Sequence, residues 1–225
     1  MIRPRLATSA ALVPVGSVAA DIGSDHAQLP IHLVRQGICP RVIASDVGEG
    51  PLQNGREAVR AAGLQDKIEL RLSDGFRCFS PEEAIGCWIM AGMGGTLMTR
   101  LLDTAPWLCR PGTVIAAQPM RRAHELRQWL ILHNFCISCE YACYDAGRIY
   151  TALRAEYSGG ARTYPPGYAY YGELLHCEAP AAREALRRGR AQLEVRMNAL
   201  RQSGRAGDEL AALEEIYDDY CTRCV

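Results

Sequence analysis

The stretch ADIGSDH, residues 20–26, decides the fold prediction because it joins a short apolar run to the start of a helical pattern. A Gly at the end of a strand lets the backbone pass close to a ligand, and the next helix offers unpaired N–H groups. Asp21 and Asp25 would repel a phosphate, and the G-x-G-x-x-G string of dinucleotide sites is missing. The loop therefore favours a cationic sulfonium ligand that carries an ammonium group. The alternative is a plain turn capped by Ser24 or Asp25.

Outward from this loop, short apolar runs alternate with segments of helical period, a pattern typical of a parallel sheet covered by helices. The predicted strands are residues 18–23, 41–46, 68–73, 87–91 and 113–118. The predicted crossover helices are residues 26–36, 51–62, 96–102 and 124–133. Two further runs, 135–144 and 148–157, flank a turn-forming Asp-Ala-Gly. The sequence thus predicts an α/β protein with the Rossmann-like sheet of a class I methyltransferase, five parallel strands plus a terminal antiparallel hairpin.

The composition changes after the Gly- and Pro-bearing residues 158–167. Apolar side chains recur at helical spacing in residues 180–202 and again in 208–220, which predicts an antiparallel helical pair joined at 203–207. The first helix is Arg-rich and the second is acidic, so the pair could simply neutralise itself. We expect two domains, residues 1–160 and residues 161–225.

Basic and acidic residues each number 25, so the chain lacks the excess positive charge of a nucleic-acid coat protein. A polyanion would have to meet a local basic patch. The sequence contains no run of about 18 apolar residues, and residues 1–16 contain no long apolar segment with a cleavage-like site. We therefore expect a protein that is neither exported nor membrane-spanning.

The ten Cys residues are scattered through apolar segments, which favours buried, reduced thiols. Cys136 and Cys139 form a C-x-x-C string, but residues three apart on a strand point to opposite faces and chelate a metal poorly. A second C-x-x-C string, Cys221 and Cys224, lies near the C-terminus. No metal site is predicted.

Three later strands also end in polar residues or glycines. Asp46 follows the second strand about twenty residues after Gly23, where a carboxylate can accept both hydroxyls of a ribose. Asp74 follows the third strand, where a carboxylate could accept an adenine amino group and Gly75 would let the ring approach. The alternatives are a helix cap and a plain turn. The fourth strand runs into AGMGG, residues 91–95, whose glycines predict close backbone approach to a ligand or substrate.

The fifth strand ends in Gln118, which could hydrogen-bond a base edge, and Arg121 and Arg122 follow where they could contact phosphate. A capped helix with a solvated basic face is the alternative. The D-P-P-Y type of string used by amino-group adenine methylases is absent, so a ring nitrogen is the better candidate for the methyl acceptor.

Together the strings ADIGSDHAQLP, IASDVGEGP, LSDG, AGMGG, AAQPM and DAGRIYTALRAE closely resemble the bacterial tRNA adenine-22 N1-methyltransferase family, from about Arg5 to the C-terminal helices. The resemblance implies a class I fold, S-adenosyl-L-methionine as methyl donor, tRNA as substrate and N1 of an adenine as target. Because no export or membrane-spanning segment is predicted, we expect the enzyme to be cytoplasmic. It places the cofactor among Asp21, Gly23, Ser24, Asp25, His26, Asp46, Asp74, Gly75, Ala91, Gly92, Met93, Gly94 and Gly95. Many relatives have Tyr directly after DHA, where this chain has Gln28.

For the methyl transfer we expect Asp25 and His26 to be the nearest polar side chains to the reacting methyl group, with Gln118 on the edge of the base. The expected tRNA contacts are Arg3, Arg5, Arg121, Arg122, Arg187 and Arg188, with residues 161–225 as a tRNA-binding or packing element. The alternatives are a small-molecule S-adenosylmethionine-dependent methyltransferase, a non-catalytic S-adenosylmethionine- or RNA-binding module and, less favoured, a nicotinamide dehydrogenase. The sequence makes no prediction of oligomeric state.

Overall fold

The computed structural model describes residues 2–203 and 207–224, and within them the sheet has seven strands. They are β1 Ala19–Ile22, β2 Val42–Asp46, β3 Ile68–Leu72, β4 Cys87–Met93, β5 Val114–Pro119, β6 Phe135–Asp145 and β7 Arg148–Tyr157. Their order is β3-β2-β1-β4-β5-β7-β6, and the first five strands of this order are parallel. β7 pairs antiparallel with β5 and with β6. The predicted fold class is confirmed.

Eight α-helices accompany the sheet in the described residues. They are α1 Pro4–Ala10, α2 Gln28–Arg35, α3 Glu49–Ala62, α4 Gly95–Asp103, α5 Ala123–Leu132, α6 Tyr168–Tyr171, α7 Pro180–Gln202 and α8 Asp208–Arg223. The stop signal after α3 is confirmed, because Gly63 adopts the left-handed conformation with φ of 68°. The prediction missed α1. None of the described helices has the length and apolar character needed to cross a membrane.

Two apolar cores cover the two faces of the sheet. Alternate residues of β1 take part in both, since Ala20 and Ile22 belong to one core and Ala19 to the other. All four residues of β1 are buried, as expected for an inner parallel strand. β1 lies between β2 and β4, so the chain changes direction across the sheet at the carboxyl ends of β1 and β4. A ligand crevice is expected at such a switch point.

The predicted antiparallel helical pair is confirmed by contacts that run in opposite directions along α7 and α8. Tyr220 Oη donates to the Leu186 carbonyl at 2.8 Å, and nearer the joint Arg201 forms an ion pair with Glu214 at 2.8 Å. Of the predicted joint at residues 203–207, residues 204–206 lie outside the described part of the chain.

A buried ion pair attaches the C-terminal part of the chain to the sheet. Arg127 on α5 and Glu140 on β6 form two hydrogen bonds of 2.7 and 2.8 Å, and their side chains are 3% and 0% exposed. Arg127 Nη1 also donates to the carbonyls of Ala169 and Tyr170, each at 3.1 Å. Aromatic side chains of α6 and α8 join the same apolar core as α5. Residues 161–225 therefore pack directly on the sheet domain, and the division at residue 160 stays a prediction.

Candidate active site at the carboxyl edge of the sheet

A cavity of about 520 Å³ opens at the carboxyl ends of β1 and β4, where the switch in strand order predicts a ligand site. We name it the carboxyl-edge cleft. Its lining residues come from α1, β1, the loop after β1, α2 and the ends of β4 and β5: Arg3, Arg5, Leu6, Asp21, Gly23, Ser24, Asp25, His26, Gln28, Leu29, Ala91, Gly92 and Met120. The structure thus brings Asp21, the ADIGSDH loop and the first part of AGMGG together.

Asp21 is a buried carboxylate at the base of this cleft, only 3% exposed. Burial raises the pKa of Asp21 to about 7. The Ser24 hydroxyl lowers this pKa somewhat, although the pair does not meet the geometry of a hydrogen bond, and the Asp46 carboxylate raises it slightly. No basic side chain forms an ion pair with Asp21 in the described residues. A buried carboxylate without a cation is costly, so a positively charged group beside Asp21 would be stabilised.

The loop between β1 and α2 has an unusual backbone. Asp25 and Ala27 both have φ of 53°, a left-handed conformation that costs a non-glycine residue roughly 1–2 kcal/mol. Asp46 holds the loop in place, because its Oδ2 accepts a hydrogen bond from the Asp25 N–H at 3.0 Å. α2 therefore begins at Gln28, two residues later than predicted. Its N-terminus has no side-chain cap, so the alternative of a turn capped by Ser24 or Asp25 is wrong.

The other predicted carboxylates lie further along the same edge. Asp46 ends β2, and its two oxygens each accept one backbone N–H, from Asp25 and Gly48, both at 3.0 Å. These two bonds fix the orientation of the carboxylate and leave further lone pairs for a ligand. Asp74 follows β3, is exposed and lies 3.6 Å from the Arg77 guanidinium. Neither Asp46 nor Asp74 lines the carboxyl-edge cleft itself.

The predicted glycines have different neighbours. Gly23 and Gly92 line the cleft with φ of 73° and 81°, and a side chain on Gly23 would collide with the Met93 side chain. Gly95 approaches the protein's own backbone, because its N–H donates to the Arg121 carbonyl at 2.8 Å. Gly95 therefore has a packing role at the start of α4. Gly75 packs against the Leu101 side chain, whereas a side chain on Gly94 would meet open space. Their roles in cofactor binding stay predictions.

The three residues predicted to be catalytic lie in two settings. Asp25 and His26 stand at the mouth of the cleft, with side chains 68% and 49% exposed and 3.5 Å between Oδ1 and Nε2. Gln118 is buried and does not line the cleft. Its Nε2 lies 3.4 Å from the Pro119 carbonyl, and its Oε1 is buried without a hydrogen-bond partner. A contact between Gln118 and a base would require a rearrangement around Met120.

Sequence reasoning missed the wall that α1 contributes to the cleft. Pro4 at the first position of α1 is a usual helix start, but a helix of 7 residues gives too weak a period to recognise. Arg5 on this helix lies 3.6 Å from Asp145 at the hairpin turn. Gln28, the departure from the resembled family, lines the cleft at the first residue of α2.

Five of the six predicted tRNA-contacting arginines lie along two neighbouring cavities. Arg3 and Arg5 line the carboxyl-edge cleft, while Arg121, Arg122 and Arg188 line a cavity of about 570 Å³ between α5 and α7. We name the second cavity the α5–α7 cleft. Arg187 lines a separate cavity together with Arg183, Arg190 and Arg223. Within residues 2–203 and 207–224, no three His, Cys, Asp or Glu side chains are grouped as metal ligands, and the ten cysteines form no disulfide.

Five parallel strands, an antiparallel terminal hairpin and carboxylates at the carboxyl edge define a class I methyltransferase fold. The sequence profile of a family described as "Methyltransferase domain" matches residues 2–153. The Streptococcus pneumoniae protein Sp1610, described as a candidate tRNA (m1A22) methyltransferase and solved in complex with S-adenosyl-L-methionine, has a TM-score of 0.82, 31% identity and full coverage of both chains. The chain belongs to the tRNA (adenine(22)-N(1))-methyltransferase family within the methyltransferase-domain proteins.

Two further relatives agree with this assignment. The tRNA (adenine(22)-N(1))-methyltransferase of Bacillus subtilis (strain 168) is 34% identical over 152 residues, which are 68% of this chain and 63% of that protein. The crystal structure of the Bacillus subtilis tRNA methyltransferase TrmK has a TM-score of 0.85 at 24% identity, covering 100% of this chain and 99% of that one. At that identity the likeness shows the fold. The family predicted from the sequence motifs is confirmed.

Proposed function

We propose that this protein transfers a methyl group from S-adenosyl-L-methionine to N1 of an adenine in tRNA, at position 22 by analogy with its relatives. The observation that carries the proposal is Asp21, a buried carboxylate that faces a cleft and has no cation partner among the described side chains. The family relation supports the choice of donor and acceptor, because relatives are named for this reaction and one was solved with the donor bound. A tRNA substrate would place the reaction in the cytoplasm.

The residues at this edge fit the proposed cofactor. Asp21 suits an ammonium group, and Asp46, already oriented by two backbone bonds, suits the two ribose hydroxyls. Buried polar atoms without a partner are rare in proteins, yet Ser24 Oγ and Ser45 Oγ are both orphaned beside these carboxylates. A ligand rich in hydroxyl and amino groups would satisfy them. Asp74 and Gly75 remain the proposed neighbours of the adenine ring.

The bound donor supplies an electrophilic methyl carbon on a positively charged sulfur. The lone pair of adenine N1 forms the new N–C bond while the C–S bond breaks and its electrons return to sulfur, so no proton has to move. This chain therefore needs no strong base, and its task is alignment. The product ring is cationic, and the Asp25 carboxylate at the mouth of the cleft would stabilise the positive charge as it develops. His26, 3.5 Å from Asp25, would orient that carboxylate.

N1 takes part in base pairing, so the target adenine must be unpaired or flipped into the cleft, at a cost of a few kcal/mol. Stacking on an aromatic ring usually offsets such a cost. Gln28 lines the cleft and has no ring, so stacking on the target base would come from another residue in this chain.

The proposed tRNA contacts follow the two neighbouring clefts. Arg3 and Arg5 would meet phosphates beside the target base, and Arg121, Arg122 and Arg188 would continue the path across the α5–α7 cleft. Residues 161–225 would then be a tRNA-binding element as well as a packing element. Arg187 lines a different cavity, so it would contact tRNA only if another segment of the RNA reached that cavity.

Mass spectrometry of nucleosides tests the proposal directly. Unmodified tRNA is incubated with the protein and S-adenosyl-L-methionine that carries a labelled methyl group. We expect labelled 1-methyladenosine, and we expect a transcript with G in place of A at position 22 to acquire none. Label in a small molecule but not in tRNA would support a small-molecule methyltransferase. Absence of any transfer, despite measurable binding of the donor, would support a non-catalytic module.

A further inference from the structure

The α5–α7 cleft lies directly beside the carboxyl-edge cleft, and Met120 lines both. Met120 follows β5, is 36% exposed and is the one described residue that the two linings share. The α5–α7 cleft has a volume of about 570 Å³, within the range of about 300–1,000 Å³ that is usual for ligand sites. An RNA strand whose target nucleotide enters the carboxyl-edge cleft could therefore place a flanking nucleotide in the α5–α7 cleft.

The floor of the α5–α7 cleft is apolar and aromatic. The rings of His124 and Tyr170 are stacked, with 4.8 Å between centroids and 6° between planes, beside Ile149 and Leu193. Burial lowers the pKa of His124, and Arg127, Arg196 and Arg122 lower it further against an opposing effect of Glu125. A neutral imidazole stacked on a phenol ring provides a flat π surface of the kind on which nucleobases stack.

The rim of the cleft is basic. Five arginines line it, and no Asp or Glu is among its described lining residues: the arginines are Arg121, Arg122, Arg127, Arg188 and Arg196. Three of those on the rim form ion pairs with half-buried or exposed carboxylates that lie outside the lining, for example Arg188 with Glu184 at 2.8 Å. The arginine side chains themselves are exposed, and ion pairs at the surface contribute little to stability, so the guanidinium groups can exchange a carboxylate for a phosphate at small cost. A planar floor under an arginine rim suits a nucleotide.

We infer that the α5–α7 cleft is a second nucleotide subsite, which holds a nucleotide that flanks the target adenine, with its base on the Tyr170–His124 stack and its phosphate on Arg121 and Arg188. The inference rests on the proposed function and deepens it. The flanking nucleotide anchors the strand while the target base enters the carboxyl-edge cleft. The subsite also supplies an aromatic contact that the Gln28 side chain, which lines the carboxyl-edge cleft, cannot supply.

Arg188→Ala tests the rim of the subsite, and Arg223→Ala is the matched control. Each arginine bonds a carboxylate four residues earlier on its helix, at 2.8 and 2.7 Å, and their side chains are 54% and 48% exposed. Arg223 lines a different cavity. We expect Arg188→Ala to raise the KM for tRNA about 3- to 10-fold and to reduce the slope of log KM against log salt by about one. The Kd for S-adenosyl-L-methionine should not change, and Arg223→Ala should behave as wild type.

Tyr170→Leu tests the floor, with Tyr170→Phe as the variant that keeps the ring. The backbone carbonyl of Tyr170, which accepts from Arg127, remains in both. We expect Tyr170→Leu to raise the KM for tRNA about 5- to 50-fold, as loss of one stacked base does, and Tyr170→Phe to retain most of the affinity. Ultraviolet crosslinking of wild-type protein to tRNA, followed by peptide mapping, does not depend on any variant folding. It should yield a crosslinked peptide that contains Tyr170 or His124.

Equal KM values for Arg188→Ala and Arg223→Ala, or for Tyr170→Leu and wild type, would overturn the subsite, as would crosslinks confined to other surfaces. If one of these results is obtained while the wild-type protein still forms 1-methyladenosine in tRNA, the subsite is wrong but the proposed function is retained. Failure of wild-type protein to methylate tRNA at all would instead remove the proposed function.

Discussion

The carboxyl-edge cleft and the α5–α7 cleft are neighbours that differ in charge. The first is lined by the carboxylates Asp21 and Asp25 as well as by Arg3 and Arg5, whereas the second is lined by five arginines and no described acidic residue. The formal net charge of the whole chain is nevertheless zero. A balanced composition therefore conceals two neighbouring surfaces of different charge, with carboxylates lining only one of them. The difference suits an enzyme that must hold a cationic cofactor and a polyanionic substrate side by side.

The largest effect should come from breaking the buried ion pair between Arg127 and Glu140, because Arg127 lines the α5–α7 cleft. Glu140→Gln leaves Arg127 buried without its charge partner, and we expect the free energy of unfolding to fall by about 3–5 kcal/mol. Because Arg127 also holds the carbonyls of Ala169 and Tyr170, the α5–α7 cleft should lose its shape while the carboxyl-edge cleft keeps its own. Urea denaturation gives the stability, and separate titrations give tRNA and cofactor affinity.

The double variant Arg127→Met/Glu140→Leu is the control, since it removes both charges at once and should recover most of the lost stability. Glu140→Gln that weakened the two affinities equally would show that the clefts are not independent.

Asp21→Asn should impair the carboxyl-edge cleft instead. It removes the charge proposed to hold the ammonium group, and we expect the Kd for S-adenosyl-L-methionine to rise about 100-fold while tRNA affinity is retained. The same variant should stabilise the free protein. Burial raises the pKa of Asp21 to about 7, so the wild type loses stability as the pH rises from about 4 to about 7, where the folded state is forced to release this proton.

Denaturation at two pH values checks the second effect of Asp21→Asn. At pH 8 the variant should be more stable than wild type by about 1–3 kcal/mol, and the gain should shrink at pH 5. Asp25→Asn is the control for a general charge effect, because the Asp25 side chain is exposed. Equal stability gains in both variants would contradict the assignment of Asp21 as a buried, unpaired carboxylate.

The pH dependence of cofactor affinity should sharpen the same point. Below the pKa of Asp21 the carboxylate must release a proton before it can receive an ammonium group. We expect the Kd for S-adenosyl-L-methionine to be constant above about pH 7 and to rise up to about tenfold for each pH unit below it. The profile of Asp21→Asn should be flat in this range. A wild-type profile without a break would exclude Asp21 from cofactor binding.

Gln28→Tyr should have the smallest effect, and it should make tRNA binding depend less on the α5–α7 cleft. A ring at this position could stack on the target base, so we expect kcat/KM for tRNA to rise about 3- to 10-fold. Gln28→Leu adds apolar surface without a ring and should gain less. In the Gln28→Tyr background, Tyr170→Leu should raise the KM for tRNA less than it does in the wild type, because two aromatic rings would then contribute to stacking. Identical results for Gln28→Tyr and Gln28→Leu would speak against stacking at this position.

The sequence predicted the sheet, its crossovers and the helical pair because each depends on local apolar period and on turn residues such as Gly63. It did not predict the late start of α2, since the left-handed conformation of Asp25 depends on a hydrogen bond to Asp46 from a different strand. Gln118 was expected to end the fifth strand and to contact a base edge, but β5 continues to Pro119 and the amide is buried, with Nε2 3.7 Å from the Met120 sulfur.

The two faces of α7 could not be separated from sequence either. Arg187 and Arg188 are adjacent and share Glu184 as partner, yet they line different cavities. Which of them faces α5 depends on how the helix packs on the sheet, and composition carries no information about that.

Calorimetry of the free protein with S-adenosyl-L-methionine and, separately, with NAD and NADP tests the central claim most directly. The claim is that the acidic carboxyl edge holds a positively charged adenosyl ligand. We predict saturable binding of S-adenosyl-L-methionine at pH 8, no measurable binding of either dinucleotide, and about 100-fold weaker binding of S-adenosyl-L-methionine by Asp21→Asn. Binding of NAD or NADP in preference, or no binding of S-adenosyl-L-methionine by the wild type, would contradict it.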